Sequence, residues 1–164
     1  MVRASLGLLA TGLDPNRDWL AFAQAKGPPA IRWILGDARS LPFPDRGFDR
    51  VASVAALCFV EDERRAVAEI VRVTRQGFAI GWLNRTSVLH GQKGRAGGSG
   101  AYRGARWHRP GELLDFFSGL RVRRLAVHSA IFLPSGNHMA RAMERLLPST
   151  LPWGGLLVVS GETG

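Results

Sequence analysis

Acidic and small polar residues follow three apolar runs of the chain. Asp14 comes after a run that ends at Leu13, Asp37 comes after the run 31–35, and the stretch 53–56 ends a third run. If the runs are strands of a parallel sheet, their carboxyl ends meet at one edge, where ligands bind in such folds. A carboxylate there can accept two hydrogen bonds from the vicinal hydroxyls of a ribose. A second acid there can accept from the exocyclic amino group of an adenine.

Apolar residues beside the two carboxylates could sandwich a purine ring, namely Leu13, Ala38 and Phe59. Each acid also has a purely structural interpretation. An Asp before Pro, as in Asp14–Pro15, is often a turn former or a helix cap, and Asp37 after a glycine could form an Asx-turn. The individual residues therefore leave both interpretations open.

Elements that could position these residues alternate along the chain. Apolar runs predict strands over 8–13, 31–35, 48–54, 78–83, 121–132 and 155–160. Helical spacing predicts helices over 16–26, 61–74, from about residue 109 onward, and 137–147. The first helix would be capped by Asp14 or Asn16 and would bury Trp19, Leu20, Phe22 and Ala23. This alternation predicts an α/β sandwich around a mostly parallel sheet, formed by residues 1–164 as one domain.

Two stretches are predicted to be irregular. The segment 41–47 contains two prolines, which exclude a regular helix or a central strand. The segment 91–104 holds six glycines and no large aliphatic residue, which predicts a flexible loop that packs no core.

Composition is that of an ordinary globular domain, because 46% of the 164 residues are hydrophobic and 21% are charged. No apolar run approaches the roughly eighteen residues of a membrane span, and the first residues read as domain sequence instead of a signal peptide. A cytoplasmic location is therefore expected. The lone cysteine, Cys58, lies in an apolar stretch and is interpreted as a small core residue.

The net charge of +9 would ordinarily indicate an anionic partner. The basic residues are scattered and almost all are arginine, so nucleic-acid binding is not favoured. The densest cluster, Arg121, Arg123 and Arg124, has the spacing of an exposed strand. The histidines His90, His108, His128 and His138 lack metal-ligand spacing, so no metal site is predicted. Trp33, Trp82 and Trp153 are expected to pack in the core.

The order of these motifs resembles the class I S-adenosylmethionine-dependent methyltransferase family, and within it the UbiE-like, methyltransferase type 11 branch. The resemblance is carried by Gly12–Pro15, by Gly36–Asp49 with its Leu-Pro-Phe-Pro-Asp run, and by Phe59–Asp62. It covers roughly residues 8–83, and weaker similarity continues at 105–114 and at 154–161, where the family has a final antiparallel strand. The resemblance implies a Rossmann-like sandwich with S-adenosylmethionine as cofactor and a small-molecule methyl acceptor.

The resemblance also implies roles for individual residues. Asp14, beside Leu13 and Pro15, would bind the ribose, while Asp37 would accept from the adenine amino group and Ala38 would donate a backbone N–H to the ring. The residues Ser53, Val54 and Ala55 would line the floor near the methyl group. Trp107 and His108 would lie near the acceptor, His108 as a candidate general base. No catalytic residue is assigned, because methyl transfer needs alignment more than a nucleophile.

The family's cofactor site begins with a strand and a glycine-rich turn about twenty residues before the residue that Asp14 matches, and no such turn precedes Asp14 here. The absent strand would be central, so the expected fold is an N-terminally truncated sandwich. Three explanations stay open: a longer protein with a different start, a degenerate relative that binds no cofactor, or a site completed by another chain as a homo-oligomer. The rival function is a non-enzymatic interaction domain. A nicotinamide dehydrogenase is disfavoured because it also needs a glycine fingerprint and would not predict the proline-rich turn.

Overall fold

A computed structural model describes residues 9–131 and 151–164 of the chain. The described elements, in chain order, are β1 (Ala10–Asp14), α1 (Arg17–Lys26), β2 (Ile31–Leu35), β3 (Phe48–Val54), α2 (Glu63–Val73), β4 (Thr74–Leu83), α3 (Pro110–Asp115), β5 (Val122–Ala130) and β6 (Leu156–Thr163). The helix predicted over 137–147 lies outside the described residues. None of the helices in the described ranges is long and apolar enough to cross a membrane.

The strands form two sheets. β1 and β2 pair in parallel as a two-stranded sheet, and the second sheet has the order β3-β4-β6-β5. In that second sheet β3 and β4 are parallel, while β6 runs antiparallel to both of its neighbours. The predicted α/β class and the antiparallel last strand are confirmed. The sheet is less parallel than predicted, because two of the four described strand pairs are antiparallel and both of these involve β6.

Helix α1 begins where the sequence predicts, with Asn16 as its cap. The side-chain oxygen of Asn16 accepts from the backbone N–H of Asp18 at 2.8 Å and of Trp19 at 3.1 Å. The predicted buried face is wrong in part, because only Leu20 is buried, whereas Trp19 is 64% and Phe22 58% exposed. Their rings contact each other edge to face, and the described residues place no further layer over this face of α1.

Helix α2 supplies the main apolar surface beneath the larger sheet. Asp62 caps it, and its buried residues recur at helical spacing as Ala66, Val67, Ile70 and Val73. The helix ends at Val73, earlier than predicted, because Thr74 already pairs with β3 and starts β4. Pairing between strands distant in sequence therefore decides this boundary.

The core lies between α2, α3 and one face of the larger sheet. Its large buried side chains are Phe78, Ile80, Trp82, Leu113, Phe117, Leu157 and Val159. Trp82 and Cys58 are fully buried, as predicted, and burial raises the pKa of the Cys58 thiol to about 11. The core prediction is wrong for Trp153, which is 58% exposed, and Trp33 is only half-buried.

The glycine-rich segment is not featureless. Short helical turns occur at His90–Gly94, Arg95–Gly97 and Gly100–Tyr102. Tyr102 packs against the core cluster, so the expectation that this segment contributes nothing to the core is wrong. Its flexibility stays a prediction.

Candidate functional site

A cavity of about 670 Å³ lies between β1 and β3. The residues 11–14 of β1 form one wall and 50–54 of β3 form the other. Both strands end at this cavity, so the polar residues that follow them point to a shared space. This is the ligand position expected beyond the carboxyl ends of parallel strands.

Most of the residues predicted for a cofactor site line this one cavity. The lining includes seven of them: Leu13, Asp14, Pro15, Asp37, Ala38, Ser53 and Val54. Ala55, Trp107 and His108 are not part of the lining. The structure thus brings together both carboxylates and most of the floor, although these segments are up to forty residues apart.

The Asp14 carboxylate retains free acceptor capacity. Its Oδ1 atom accepts a hydrogen bond from the backbone N–H of Asn16 at 2.8 Å. Neither oxygen receives another hydrogen bond from the residues 9–131 and 151–164, so Oδ2 can accept from a ligand. The predicted turn-forming role and a ligand-binding role are therefore compatible at this residue.

Asp37 is held firmly by Arg39. The guanidinium of Arg39 donates through Nε to both carboxylate oxygens and through Nη2 to Oδ2 at 2.7 Å. The backbone N–H of Arg39 also donates to Oδ1 at 2.8 Å, which is the predicted Asx-turn. These bonds hold the pKa of the Asp37 carboxyl below its ordinary value, so it is an ionised acceptor at neutral pH. The same bonds occupy part of its acceptor capacity and fix its orientation.

The floor of the cavity ends in a strained turn at Ala55. This residue has φ of 56°, and its N–H donates to the carbonyl of Gly81 at 2.8 Å. The bond terminates β3 and turns the chain sharply under Val54. Alanine in this left-handed region is strained by about 1–2 kcal/mol, which makes the turn a constraint imposed by the surrounding fold.

We expect Ala55→Val to lower the free energy of unfolding by about 1–2 kcal/mol, because β-branched side chains avoid positive φ. Ala52→Val, on the extended part of β3, is the matched control and should have little effect. Urea denaturation followed by circular dichroism measures both variants. Equal stability of the two variants would contradict a strained turn at residue 55.

The lining of the cavity includes residues that the sequence did not assign to the site. Leu41 and Phe43, from the proline-containing segment, line the cavity together with Trp19 and Trp33. The signal that could have found Leu41 and Phe43 was the Leu-Pro-Phe-Pro-Asp run, which begins four positions after Asp37. This run serves as a wall of the cavity as well as a connection between strands.

His108 and Trp107 lie in a different environment. His108 Nε2 is 3.0 Å from Oε2 of the buried Glu63 carboxylate, which also accepts from Trp82 Nε1 at 2.8 Å. Trp107 packs against the rings of His90 and Tyr102, at centroid distances of 5.1 and 5.7 Å. Their assignment near an acceptor stays a prediction, while the Glu63 cluster was missed because its members are far apart in sequence.

The middle of the cavity has open strand edges on both sides. Within the described ranges, β1 pairs only with β2 and β3 pairs only with β4. The unpaired edges of β1 and β3 thus face the same space. No glycine-rich turn of the described residues lies between them.

The first half of the chain is similar to known methyltransferases. Residues 2–80 match the family described as methyltransferase domain. The chain is 39% identical over 69 residues to the uncharacterized methyltransferase YcgJ of Bacillus subtilis, which covers 40% of this chain and 27% of that protein. It is 37% identical over 133 residues to the uncharacterized protein Rv2003c of Mycobacterium tuberculosis, covering 71% of this chain and 43% of that protein. The chain therefore spans less than half the length of these relatives.

The fold of the chain is also similar to that of solved methyltransferase structures. A solved structure of an S-adenosylmethionine-dependent methyltransferase from Thermotoga maritima superimposes with a TM-score of 0.76 at 24% identity. The superposition covers 93% of this chain and 72% of that one. The motifs around Asp14 and Asp37 agree with both comparisons: residues 2–80 match the methyltransferase type 11 family, and the chain has the Rossmann-like fold of class I S-adenosylmethionine-dependent methyltransferases.

Proposed function

We propose that this domain binds S-adenosylmethionine in the cavity between β1 and β3 and serves methyl transfer to a small-molecule acceptor. The observation that carries the proposal is that both carboxylates, Asp14 and Asp37, line one cavity together with the predicted apolar floor. The family match over residues 2–80 supports the general reaction, and the acceptor belongs to the proposal alone.

The residues present fit an adenosine group. The free Oδ2 of Asp14 and the ionised Asp37 are acceptors for ribose hydroxyls and for an exocyclic amino group respectively. Leu13 and Phe59 line the same cavity and offer apolar surface to a purine ring, beside the backbone N–H of Ala38. When bound, S-adenosylmethionine supplies an electrophilic methyl group on a sulfonium.

The contribution of the chain to the reaction is alignment. Ser53 and Val54 at the end of β3 would bound the space near the methyl group, and the strained turn at Ala55 fixes their position. Holding an acceptor in line with the methyl group can lower the barrier by several kcal/mol, with about 7–11 kcal/mol as the upper range of such effects. The apolar residues around the cavity would also exclude water.

A second candidate is a methyltransferase-like interaction domain without catalysis. It is favoured by one observation: the edges of β1 and β3 are unpaired along the cavity. Unpaired edges are templates for another strand, and they also favour association into a homo-oligomer. Cytoplasmic location and small-molecule partners are further parts of the main proposal.

Calorimetric titration of S-adenosylhomocysteine into this chain separates the two candidates. Asp14→Ala removes the proposed ribose acceptor and should weaken binding about 10- to 100-fold, because bonds to a charged group contribute about 1.5–3 kcal/mol. Asp18→Ala removes an exposed carboxylate that does not line the cavity and is the matched control. The cofactor site would be rejected if all three proteins bound with equal affinity, or if the unaltered chain did not bind. The interaction domain would then be the remaining candidate.

A further inference from the structure

Asp37 and Arg39 form an ion pair at the edge of the cavity between β1 and β3. Asp37 belongs to the lining of this cavity and Arg39 does not, so the arginine holds the carboxylate without occupying the space of a ligand. The two side chains are partly exposed, at 44% for Asp37 and 40% for Arg39. An ion pair this exposed contributes little to stability, so its main effect is on the carboxylate itself.

The bonds from Arg39 leave one acceptor position on the Asp37 carboxylate. An ionised carboxylate has about four lone-pair positions and no hydrogen to donate. Three N–H groups of Arg39 fill positions: the backbone N–H donates to Oδ1 at 2.8 Å, Nε is shared between the two oxygens at 3.1 and 3.0 Å, and Nη2 donates to Oδ2 at 2.7 Å. No other residue of the ranges 9–131 and 151–164 donates to this carboxylate. Asp37 can therefore accept one hydrogen bond from a ligand.

The turn at Asp37 does not need the side chain of Arg39. The backbone N–H of Arg39 donates to the carboxylate, and the N–H of Ser40 donates to the carbonyl of Asp37 at 3.0 Å, which together close the turn. The guanidinium adds a second restraint on the rotation of the carboxylate. Its hydrogen bonds also hold the pKa of Asp37 below the ordinary value of 3.8. The side chain of Arg39 thus keeps the carboxylate ionised and in one orientation.

Arg39 is itself held in place by residues at the start of α2. Arg65, in the first turn of α2, donates through Nε to the carbonyl of Arg39 at 2.8 Å. The carboxylate of Glu61, just before the helix, lies 3.6 Å from Nη1 of Arg39. Both the backbone and the guanidinium of Arg39 are therefore tied to the same part of the chain. The preceding residues 59–60 line the cavity, so this network connects two parts of the lining.

We propose that Arg39 is a positioning residue that makes the cavity select a purine with a 6-amino group over a purine with a 6-oxo group. The inference rests on the proposed function, because it concerns the adenine end of the proposed cofactor. A fixed, ionised carboxylate with one open position accepts from an amino N–H, whereas an oxo oxygen would face it with no hydrogen between them. Without the guanidinium the carboxylate is free to rotate, and the selection should weaken.

Calorimetric titration of the whole 164-residue chain with two ligands measures this selection. The ligands are S-adenosylhomocysteine and S-inosylhomocysteine, which differ only in the purine. We expect the unaltered chain to bind the adenosyl ligand at least about tenfold more tightly, as for the loss of a hydrogen bond to a charged group. Arg39→Ala should reduce this ratio at least about threefold, and Arg39→Lys should recover only part, because an ammonium keeps the charge but lacks the planar fork.

Two further variants separate an effect through Asp37 from a general effect on the fold. Arg75→Ala is the matched control, because Arg75 also pairs with a half-exposed aspartate, Asp49, and does not line the cavity. This variant should keep the full ratio. Asp37→Asn should lose the selection, since an amide can also donate to an oxo group, and adding Arg39→Ala to it should lower the ratio no further. Circular dichroism checks that each variant is folded.

The outcomes distinguish this inference from the proposed function. The role of Arg39 is overturned if the unaltered chain binds both ligands equally, or if Arg39→Ala keeps the full ratio. It is also overturned if Arg39→Ala binds S-adenosylhomocysteine more tightly, because the guanidinium would then compete with the adenine. In each of these cases the chain still binds the adenosyl ligand, so the proposed function stands. A chain that binds neither ligand would reject the proposed function, and the inference with it.

Discussion

Replacing Trp82 by alanine is expected to lower the free energy of unfolding by about 3–5 kcal/mol. The indole is fully buried in the core, stacked at 5.9 Å on the ring of Phe116 and edge-on at 6.4 Å to Phe117. Its removal leaves a large cavity between β4 and α3. It also removes the N–H donor, 2.8 Å from Oε2, on which the buried Glu63 carboxylate depends. Urea denaturation followed by circular dichroism measures the change.

Trp82→Phe separates packing from hydrogen bonding. Phenylalanine keeps most of the apolar contact but cannot donate to Glu63, so we expect a loss of about 1–3 kcal/mol from the under-satisfied carboxylate. Glu63 would keep its contacts with His108 at 3.0 Å and with Arg106 at 3.6 Å. If Trp82→Ala and Trp82→Phe were equally stable, the ring contacts with Phe116 and Phe117 would contribute nothing to stability. That result would contradict the packing seen in the structure. If Trp82→Phe matched the unaltered chain, the buried hydrogen bond would be unimportant.

Two of the strands near the cavity, β2 and β3, could be predicted closely from the sequence. The predicted bounds 31–35 and 48–54 are those of β2 and β3, because turn-forming residues follow the first and proline-containing sequence precedes the second. The convergence of Asp14 and Asp37 followed from a general property of parallel sheets, in which carboxyl ends share one edge. Local sequence patterns therefore predict the bounds of these strands, and the parallel pairing of strands predicts which residues meet at the site.

The errors arise where a residue's environment depends on distant segments. Helical periodicity correctly marks Trp19 and Phe22 as one apolar face, but periodicity does not say whether another element covers that face. The Glu63 cluster joins residues 19 and 45 positions apart, a contact that no local pattern encodes. His108 belongs to this cluster through its contact with the Glu63 carboxylate, and its position near an acceptor stays a prediction.

Arg72 also makes contacts with a distant segment that local sequence does not predict, and these contacts hold part of the cavity lining. Its guanidinium donates to the carbonyls of Leu41 and Phe43 and pairs with the carboxylates of Asp45 and Glu69. The Leu-Pro-Phe-Pro-Asp run is thus tied to α2 mainly by this side chain, and Glu69 adds one bond by accepting from the backbone N–H of Leu41 at 2.7 Å. Arg72 is not among the residues predicted for the site, although it holds the segment that lines the cavity.

We expect Arg72→Ala to lower the free energy of unfolding by about 2–4 kcal/mol, because it removes several charge-assisted hydrogen bonds. Each such bond contributes about 1.5–3 kcal/mol when buried, and the partial exposure of Arg72 reduces the sum. The wall residues Leu41 and Phe43 should then be less well held, so binding of S-adenosylhomocysteine should weaken as well. Lysine at this position keeps the charge but lacks the planar fork, and Arg72→Lys should recover only part of the loss. Denaturation and calorimetric titration measure the two effects.

The pH dependence gives an independent readout of the same contact. Hydrogen bonds from Arg72 hold the pKa of Glu69 below its ordinary value of 4.5. A depressed carboxyl pKa stabilises the fold above the ordinary value, and that stabilisation is lost as the pH falls through the lower, folded-state pKa. The unaltered chain should therefore lose this stabilisation on acidification, whereas Arg72→Ala should lose less because the contact is already gone.

Arg64→Ala is the matched control for this prediction. Arg64 lies on the same helix, but within residues 9–131 and 151–164 it makes one hydrogen bond, to the carbonyl of Asp115 at 2.8 Å. It should cost less stability than Arg72→Ala and should leave ligand binding unchanged. If both variants lost equal stability and neither altered ligand affinity, the proline-containing wall would be held by its own rigidity. In that case Pro42 and Pro44 alone would fix the conformation of this segment. The hydrogen bonds from Arg72 would follow from that conformation and would not determine it.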